Sequence, residues 1–190
     1  TVNNISRNVL KLFQTNYYTP ANIVISAAGL LDNELLVKKV SVIFSSLKSN
    51  ALNVFLKAKT CQVKPQLKIF HKDTEQTHMA LGFHAFRRDH PLRQAQAILH
   101  IILGANMSSR LFNEVREKRG LAYEIGTGLK RYHDAGVFLV HAGIDNRKVP
   151  DCLGLIFHEL GKTKKSYVTK DEFKRAKEFY LGQLSLALED

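Results

Sequence analysis

The side chains with the clearest chemical potential in this sequence are Arg116 and Tyr123, which stand seven positions apart within the run 107–123. A small polar turn opens this run, a short helical pattern follows, and Gly-Leu-Ala-Tyr leads into a predicted strand. Seven residues make almost two turns at 3.6 residues per turn, so an unbroken helix would place both side chains on one face. A guanidinium cation and a neutral phenol could together hold a peptide carbonyl.

The same run has simpler interpretations. Arg116 also suits the surface of a helix, with Tyr123 packed where the helix ends. Ser108 and Ser109 are most simply helix-capping residues, because no His/Asp pattern supports a serine nucleophile. The spacing of these residues alone therefore leaves a structural role open.

Three histidines raise the question of a metal site. His78 and His84 share one side of a predicted strand, and His141 falls on a predicted neighbouring strand. Imidazoles can bind a structural metal, but histidines in sheets more often hydrogen-bond or face solvent. We therefore predict no metal site within this chain.

Several motifs, in order and with their spacing, resemble the insulinase-like zinc peptidases, the family of pitrilysin and the mitochondrial processing peptidases. The Ser-Ser-Arg-Leu-Phe run with Arg116 and Tyr123 resembles the Arg/Tyr element in the C-terminal half of that family. The other matching segments are 17–22 (Tyr-Tyr-Thr-Pro-Ala-Asn), 75–83 (Glu-Gln-Thr-His-Met-Ala-Leu-Gly-Phe), 103–104 (Leu-Gly) and 169–173 (Thr-Lys-Asp-Glu-Phe). The resemblance covers nearly the whole chain.

The zinc-binding motif of that family is absent from this sequence. Catalytic members bind zinc through His-x-x-Glu-His on a helix, and the nearest run here, 158–162 (His-Glu-Leu-Gly-Lys), lacks the second histidine. The family places its zinc helix upstream of the segments matched here. The resemblance therefore implies a fragment of a longer protein, whose zinc is bound outside this chain, and we do not expect the fragment alone to be active.

The resemblance also implies a function and the residues that serve it. The parent protein would be a zinc metalloendopeptidase that cleaves peptides or unfolded proteins in an enclosed chamber. Arg116 and Tyr123 would face the zinc site across that chamber, while Gln76 and His78 are candidates for substrate contact. The alternative is a non-catalytic peptide-binding or scaffold subunit of the same family. The N-terminal half is an expected partner, and a homo- or heterodimer stays open.

Composition argues against two other classes of protein. The 190 residues carry a net charge of +11, but the basic residues are scattered among acids and form no aromatic-interleaved stripe. We therefore expect no nucleic-acid partner. No apolar run approaches the roughly 20 residues of a membrane span. Cys61 and Cys152 form no metal or redox motif and suit a reducing compartment, so the prediction is cytoplasmic, with the mitochondrial matrix or another organelle as the alternative.

The hydrophobic pattern predicts two parts joined by a linker at 51–66. Residues 1–50 read as helix, strand and helix: a helix up to Pro20, a strand at 23–28 and a second helix at 35–47. We interpret this part as the end of the N-terminal, zinc-bearing half. A lone strand needs neighbours, so it would complete a sheet formed by other residues.

Residues 67–190 are interpreted as the C-terminal Arg/Tyr half, incomplete at its end. Alternation of apolar residues predicts strands within 67–86 and 122–145. Helices are predicted at 91–103, at 149–160 with Gly161 ending it, and after a capping box of Thr169 and Glu172. The predicted fold is α+β, an antiparallel-rich sheet with helices on one face. The family's fold is of that kind, a tandem of two such halves.

Overall fold

The computed structural model describes residues 2–47, 55–59 and 62–189. The chain divides into two compact units, Thr1–Leu56 and Lys57–Asp190. Part of the predicted linker, residues 51–54 together with 60 and 61, lies outside the described residues.

The first unit contains the two predicted helices, α1 (Arg7–Tyr17) and α2 (Asn33–Phe44). Each begins at a capping side chain. Ser6 Oγ accepts from the Val9 amide at 3.3 Å, and an Asp32 carboxylate oxygen accepts from the Leu35 amide at 3.1 Å. Free amides in the first turn of a helix are commonly satisfied in this way.

The strand at 23–28 stays a prediction, because the neighbours that it needs are expected outside this chain. The backbone there is extended at Ile23, but no strand is formed within the described part of this unit. A strand exists only when a neighbour shares its ladder of hydrogen bonds. Neither α1 nor α2 contains a buried residue: the apolar side chains that predicted α1 are exposed, and in α2 only Leu36, Val40 and Phe44 are half-buried.

The second unit is built on a three-stranded antiparallel sheet. Its strands are β1 (Gln76–Ala85), β2 (Ala122–Arg131) and β3 (Gly136–Asp145), in the order β1-β3-β2. The strand predicted to begin at 67 starts only at Gln76, since residues 67–70 pair with no strand among the described residues. A tight turn joins β2 to β3, where the Tyr132 amide donates to the Ala135 carbonyl at 2.8 Å.

Helices cover one face of this sheet. They are α3 (Arg93–His100), α4 (Val149–Lys165) and α5 (Lys170–Glu189), together with the wider π-helical segments Ile101–Ala105 and Phe112–Glu117. The α+β fold with helices on one face of an antiparallel sheet is thus confirmed. Helix α4 does not end at Gly161 as predicted, because no left-handed residue interrupts it there and it continues to Lys165.

The main core lies between the sheet on one side and, on the other, α4 and the helical segment that carries Arg116. Strand residues Val140, Ala142 and Ile144 are buried there. They pack against Leu111, Val115, Cys152 and Ile156. Burial of this face fixes the register of β3. That register determines which residues of β3 lie opposite the ends of β1 and β2.

Candidate functional site

Arg116 and Tyr123 do not lie on one face of a helix. Arg116 belongs to the π-helical segment Phe112–Glu117, whereas Tyr123 lies on strand β2. The helix does not continue to Tyr123, because Gly120 adopts a left-handed conformation with φ of 55°. Glycine there ends the helix, as it commonly does, and the chain turns into the strand.

The turn nevertheless brings the two side chains to one place. Arg116 and Tyr123 line a single open concavity of about 310 Å³. The remaining lining residues are Gly120, Leu121, Ala122, Asp145 and Lys148. The two side chains are therefore close for a reason other than helical spacing: the backbone turns from the end of the helical segment into the start of β2.

Tyr123 is directed outward by an irregularity in the sheet. The pairing of β2 with β3 shifts by one residue between Ala122, opposite Ile144, and Glu124, opposite Gly143. Tyr123 is the extra residue of this β-bulge, and 61% of it is exposed. Bulges commonly redirect a side chain beside a functional site. The π-helical segment that carries Arg116 is a second rare feature often found at such sites.

Arg116 is the cation of this segment that has no acidic partner. Its guanidinium lies 4.9 Å from the centre of the Phe112 ring, and no hydrogen bond or ion pair joins it to another described residue. The neighbouring cations Lys118 and Arg119 both bind Glu114, each at 2.6 Å. The donors of Arg116 are thus available to an added acceptor.

Two acids, one in the Arg116 segment and one lining the concavity, are already paired with cations. Hydrogen bonds from Lys118 and then Arg119 lower the pKa of Glu114 to about 2. The side chain of Arg147 lowers the pKa of Asp145, whose carboxylate also accepts from the Arg147 amide at 2.9 Å. Both carboxylates are therefore ionised near neutral pH and paired with cations other than Arg116.

Gln76 and His78 lie on the open face of the sheet and do not line this concavity. They stand on β1 opposite Asp145 and Gly143, so β3 separates them from Tyr123 on β2. Both side chains lean across Gly143, where an added Cβ would lie 3.5 Å from Gln76 Oε1 and 3.7 Å from His78 Cε1. They share the end of the sheet with Tyr123 but not its pocket.

The histidines of the open face do not assemble a metal site. His141 pairs opposite Ala80 and so shares a face with His78 and His84. Its Nε2 instead lies 3.6 Å from a carboxylate oxygen of Glu124. Within residues 2–47, 55–59 and 62–189, no three His, Cys, Asp or Glu side chains are placed to hold a metal ion. The donor set described here does not fit zinc.

A larger concavity, of about 730 Å³, offers less chemistry. It lies beside Phe112 and is lined mainly by the loop 104–108, by β2 and by α5, with Ser108 and His141 among its residues. Ser109 next to it is 1% exposed and its Oγ has no hydrogen-bond partner in the described structure, so it cannot reach a substrate. This larger concavity therefore offers no activated nucleophile among its described residues. The smaller concavity is the candidate site because Arg116 and Tyr123 give it more chemical potential than volume alone provides.

Sequence reasoning missed Asp145 and Lys148, which complete the concavity. Asp145 is the last residue of β3 and Lys148 follows it, both more than twenty residues beyond Tyr123. Their position depends on the pairing of β2 with β3, which no local pattern of charges reveals.

Comparison with known proteins identifies the family. The sequence model of the family described as "Peptidase M16 inactive domain" matches residues 4–180. The chain belongs to the M16 peptidase family. It matches a protein of Streptomyces coelicolor named "uncharacterized zinc protease" at 34% identity, over 100% of this chain and 43% of that protein. A Bacillus subtilis protein of the same description is 31% identical, over 100% of this chain and 46% of its own length.

Solved structures share the fold. A peptidase M16 inactive domain from Pseudomonas fluorescens superposes with a TM-score of 0.79 at 27% identity, covering 94% of this chain and 43% of that one. A protease from Helicobacter pylori gives a TM-score of 0.78 at 26% identity, covering 100% and 47%. The chain thus spans less than half the length of these two proteins. Within its described residues, no helix is long and apolar enough to cross a bilayer.

Proposed function

We propose that the full-length M16 protein is a zinc-dependent metalloendopeptidase and that this chain supplies substrate-binding and transition-state-stabilising residues. The observation that carries the proposal is the shared concavity of Arg116 and Tyr123, in which Arg116 has no acidic partner among the described residues. The naming of relatives as zinc proteases supports the reaction class.

The chemistry assigned to each residue follows from its donors. When water attacks a peptide bond, negative charge develops on the carbonyl oxygen, and a preorganised neutral hydroxyl can stabilise it. Tyr123 provides that hydroxyl from an exposed bulge. Arg116 can hold a neighbouring backbone carbonyl through its planar donors and so fix the register of an extended peptide.

Gln76 and His78 extend the proposed substrate surface. They lie on β1, an edge strand of the described sheet, at the end shared with Tyr123. An extended peptide can add to such an edge through main-chain hydrogen bonds, with side chains of the strand giving selectivity. We assign residues 67–190 to the C-terminal Arg/Tyr half and residues 1–50 to the end of the zinc-bearing half.

Zinc is assigned to the part of the protein outside this chain. The described residues offer no donor set for the ion, and the matched relatives are about twice as long. The named relatives are bacterial, and the cytoplasmic location stays a prediction.

The test uses the full-length protein and a mixed peptide library. We expect cleavage that a zinc chelator abolishes. Tyr123→Phe should lower kcat by about 10²- to 10³-fold, as loss of one oxyanion donor does. Arg116→Gln should mainly raise KM, because it removes a contact made in the ground state as well. Tyr132→Phe is the matched control, since Tyr132 is also exposed and lies just beyond β2, at the end away from Tyr123. Unchanged turnover of every peptide in both site variants would refute the assignment.

A non-catalytic peptide-binding subunit is the second candidate. The matching family model is described as an inactive domain, which favours it for this part of the protein. The deciding observation is whether the full-length sequence contains His-x-x-Glu-His with a further downstream glutamate. Absence of that motif, with peptides still bound, would favour the subunit and a search for a zinc-carrying partner.

A further inference from the structure

Lys148 makes a contact that the proposed roles of Arg116 and Tyr123 do not use. It follows β3, and its Nζ donates a hydrogen bond to the carbonyl oxygen of Gly120 at 3.0 Å. Gly120 is the left-handed residue at which the helix gives way to β2. The ammonium therefore binds the carbonyl of Gly120, which lies in the turn between the helical segment that carries Arg116 and the strand that carries Tyr123.

The contact has a clear physical basis. The carbonyl of Gly120 lies in the turn just beyond the helical segment that ends at Glu117, close to the helix end, where the helix dipole favours a cation. Lys148 reaches this carbonyl from 28 positions away, so it connects the end of β3 to the turn. Other hydrogen bonds fix the helix side of the turn: the Gly120 amide donates to the Arg116 carbonyl, and Arg119 donates to the Glu114 carbonyl. The Gly120 carbonyl is bonded by Lys148.

The position of this carbonyl affects where Tyr123 points. Gly120 and Tyr123 both line the concavity, and the residues between them, Leu121 and Ala122, line it as well. A glycine with φ of 55° has a wide range of accessible conformations, so an added bond restricts the turn more than it would at another residue. Small errors in the placement of a catalytic donor are costly, on the order of 10²-fold for about 1 Å.

We propose that Lys148 is a positioning residue, which holds the Gly120 carbonyl and thereby fixes the Tyr123 hydroxyl relative to Arg116. This inference rests on the proposed peptidase function. Lys148 acts through the backbone and takes no proton from the substrate.

The experiment compares variants of the full-length protein in peptide cleavage. Lys148→Met keeps the length of the side chain and removes the donor, and it should lower kcat by about tenfold with KM within about twofold. Lys148→Arg keeps a donor and should recover part of the loss. Lys130→Met is the matched control, because Lys130 is an exposed lysine at the opposite end of β2, and it should leave kcat unchanged.

A double-mutant cycle separates the positioning of Tyr123 by Lys148 from a general stabilisation of the fold. In a Tyr123→Phe background, Lys148→Met should have little further effect on kcat, since the hydroxyl it positions is gone. An equal loss in both backgrounds, or an unchanged kcat in Lys148→Met alone, would overturn the proposal. If Tyr123→Phe itself had no effect, the proposed function would fail instead.

Hydrogen exchange tests the contact without any activity. Amides of residues 119–124 should exchange several-fold faster in Lys148→Met than in Lys130→Met or the unmodified protein. Equal exchange in all three would show that the bond does not restrain the turn and would overturn the inference, whatever the protein cleaves.

Discussion

The guanidinium of Arg110 meets both carboxylate oxygens of Glu172, with Nε 2.6 Å from Oε1 and Nη2 2.9 Å from Oε2. Arg110 lies one residue before Leu111 at the start of the helical turns that lead to Arg116. Glu172 lies in the first turn of α5 and also accepts from the amide and hydroxyl of Thr169. The Glu172 carboxylate thus takes part in the cap of α5 and also joins α5 to the start of the Arg116 segment. The predicted capping box included only the first of these two contacts.

Removal of this pair should destabilise the second unit. Arg110→Met should lower the free energy of unfolding by about 2 kcal/mol, since charge-assisted hydrogen bonds between half-buried groups are lost. Arg87→Met is the control, because the Arg87–Asp89 pair is exposed and should contribute less than about 0.5 kcal/mol. Urea unfolding followed by circular dichroism measures both. Equal losses would contradict a special role for the Arg110 contact.

The ion pairs also predict loss of stability in acid. Hydrogen bonds from Arg110 lower the pKa of Glu172 to about 2, and those from Lys118 and Arg119 do the same for Glu114. A carboxyl whose folded pKa lies below its unfolded value of 4.5 adds stability above that pH and loses it as pH falls toward 2. The thermal midpoint should therefore drop between pH 5 and 2, and less steeply in Glu172→Gln. A parallel decline in that variant would contradict the assignment.

The left-handed turn can be tested by adding one carbon. No atom lies within 4 Å of a Cβ added at Gly120, so Gly120→Ala costs only backbone strain, about 1–2 kcal/mol. Gly154→Ala is the control: Gly154 also has free space but lies inside α4, where alanine should stabilise the protein by about 0.5–1 kcal/mol. Chemical denaturation should thus give opposite signs for the two variants. Equal signs would show that the turn at Gly120 is not left-handed in solution.

Gly104 tests a different constraint, which is close packing. A Cβ there would lie 2.5 Å from Thr127 Cγ2 and 2.9 Å from the Thr127 amide nitrogen. Gly104→Ala should therefore destabilise the protein by about 1–3 kcal/mol, because backbone must move. Gly161→Ala in α4 meets no atom within 4 Å and serves as the control. Calorimetric midpoints would distinguish the two, and an unaffected Gly104→Ala would refute the close approach of the helix to β2.

Sequence patterns predicted those elements whose partners lie in the described chain. The alternation Thr77, Met79, Leu81, Phe83 indicated β1, and β3 indeed pairs with it along its whole length. The segment 23–28 forms no strand in the described part of its unit, because an apolar run specifies burial but does not supply a neighbour. Periodicity reports the face of an element, while pairing depends on the rest of the fold.

At the candidate site too, local patterns indicated some features, while others depend on the rest of the fold. Residue type and family resemblance led to Arg116 and Tyr123, and their shared concavity agrees with that choice. The condition for the helical argument, a helix unbroken as far as Tyr123, is not met, because Gly120 adopts a left-handed conformation that its sequence context did not decide. The contribution of Lys148 could not be predicted, because the contact requires the register of β2 and β3 to be known.

Cys152 should be unreactive in the folded protein. It is fully buried, packs with Leu111 and Ile156, and burial raises the pKa of its thiol to about 11. At pH 8 only about one thiol in a thousand is then the reactive thiolate, and reagent access is blocked as well. In a Cys61→Ser background, Ellman's reagent should detect no thiol from this chain under native conditions and one after denaturation in guanidinium chloride. Rapid reaction in the native state would mean that the core between the sheet and α4 opens, and the Arg116 segment packed on it would lose its fixed position.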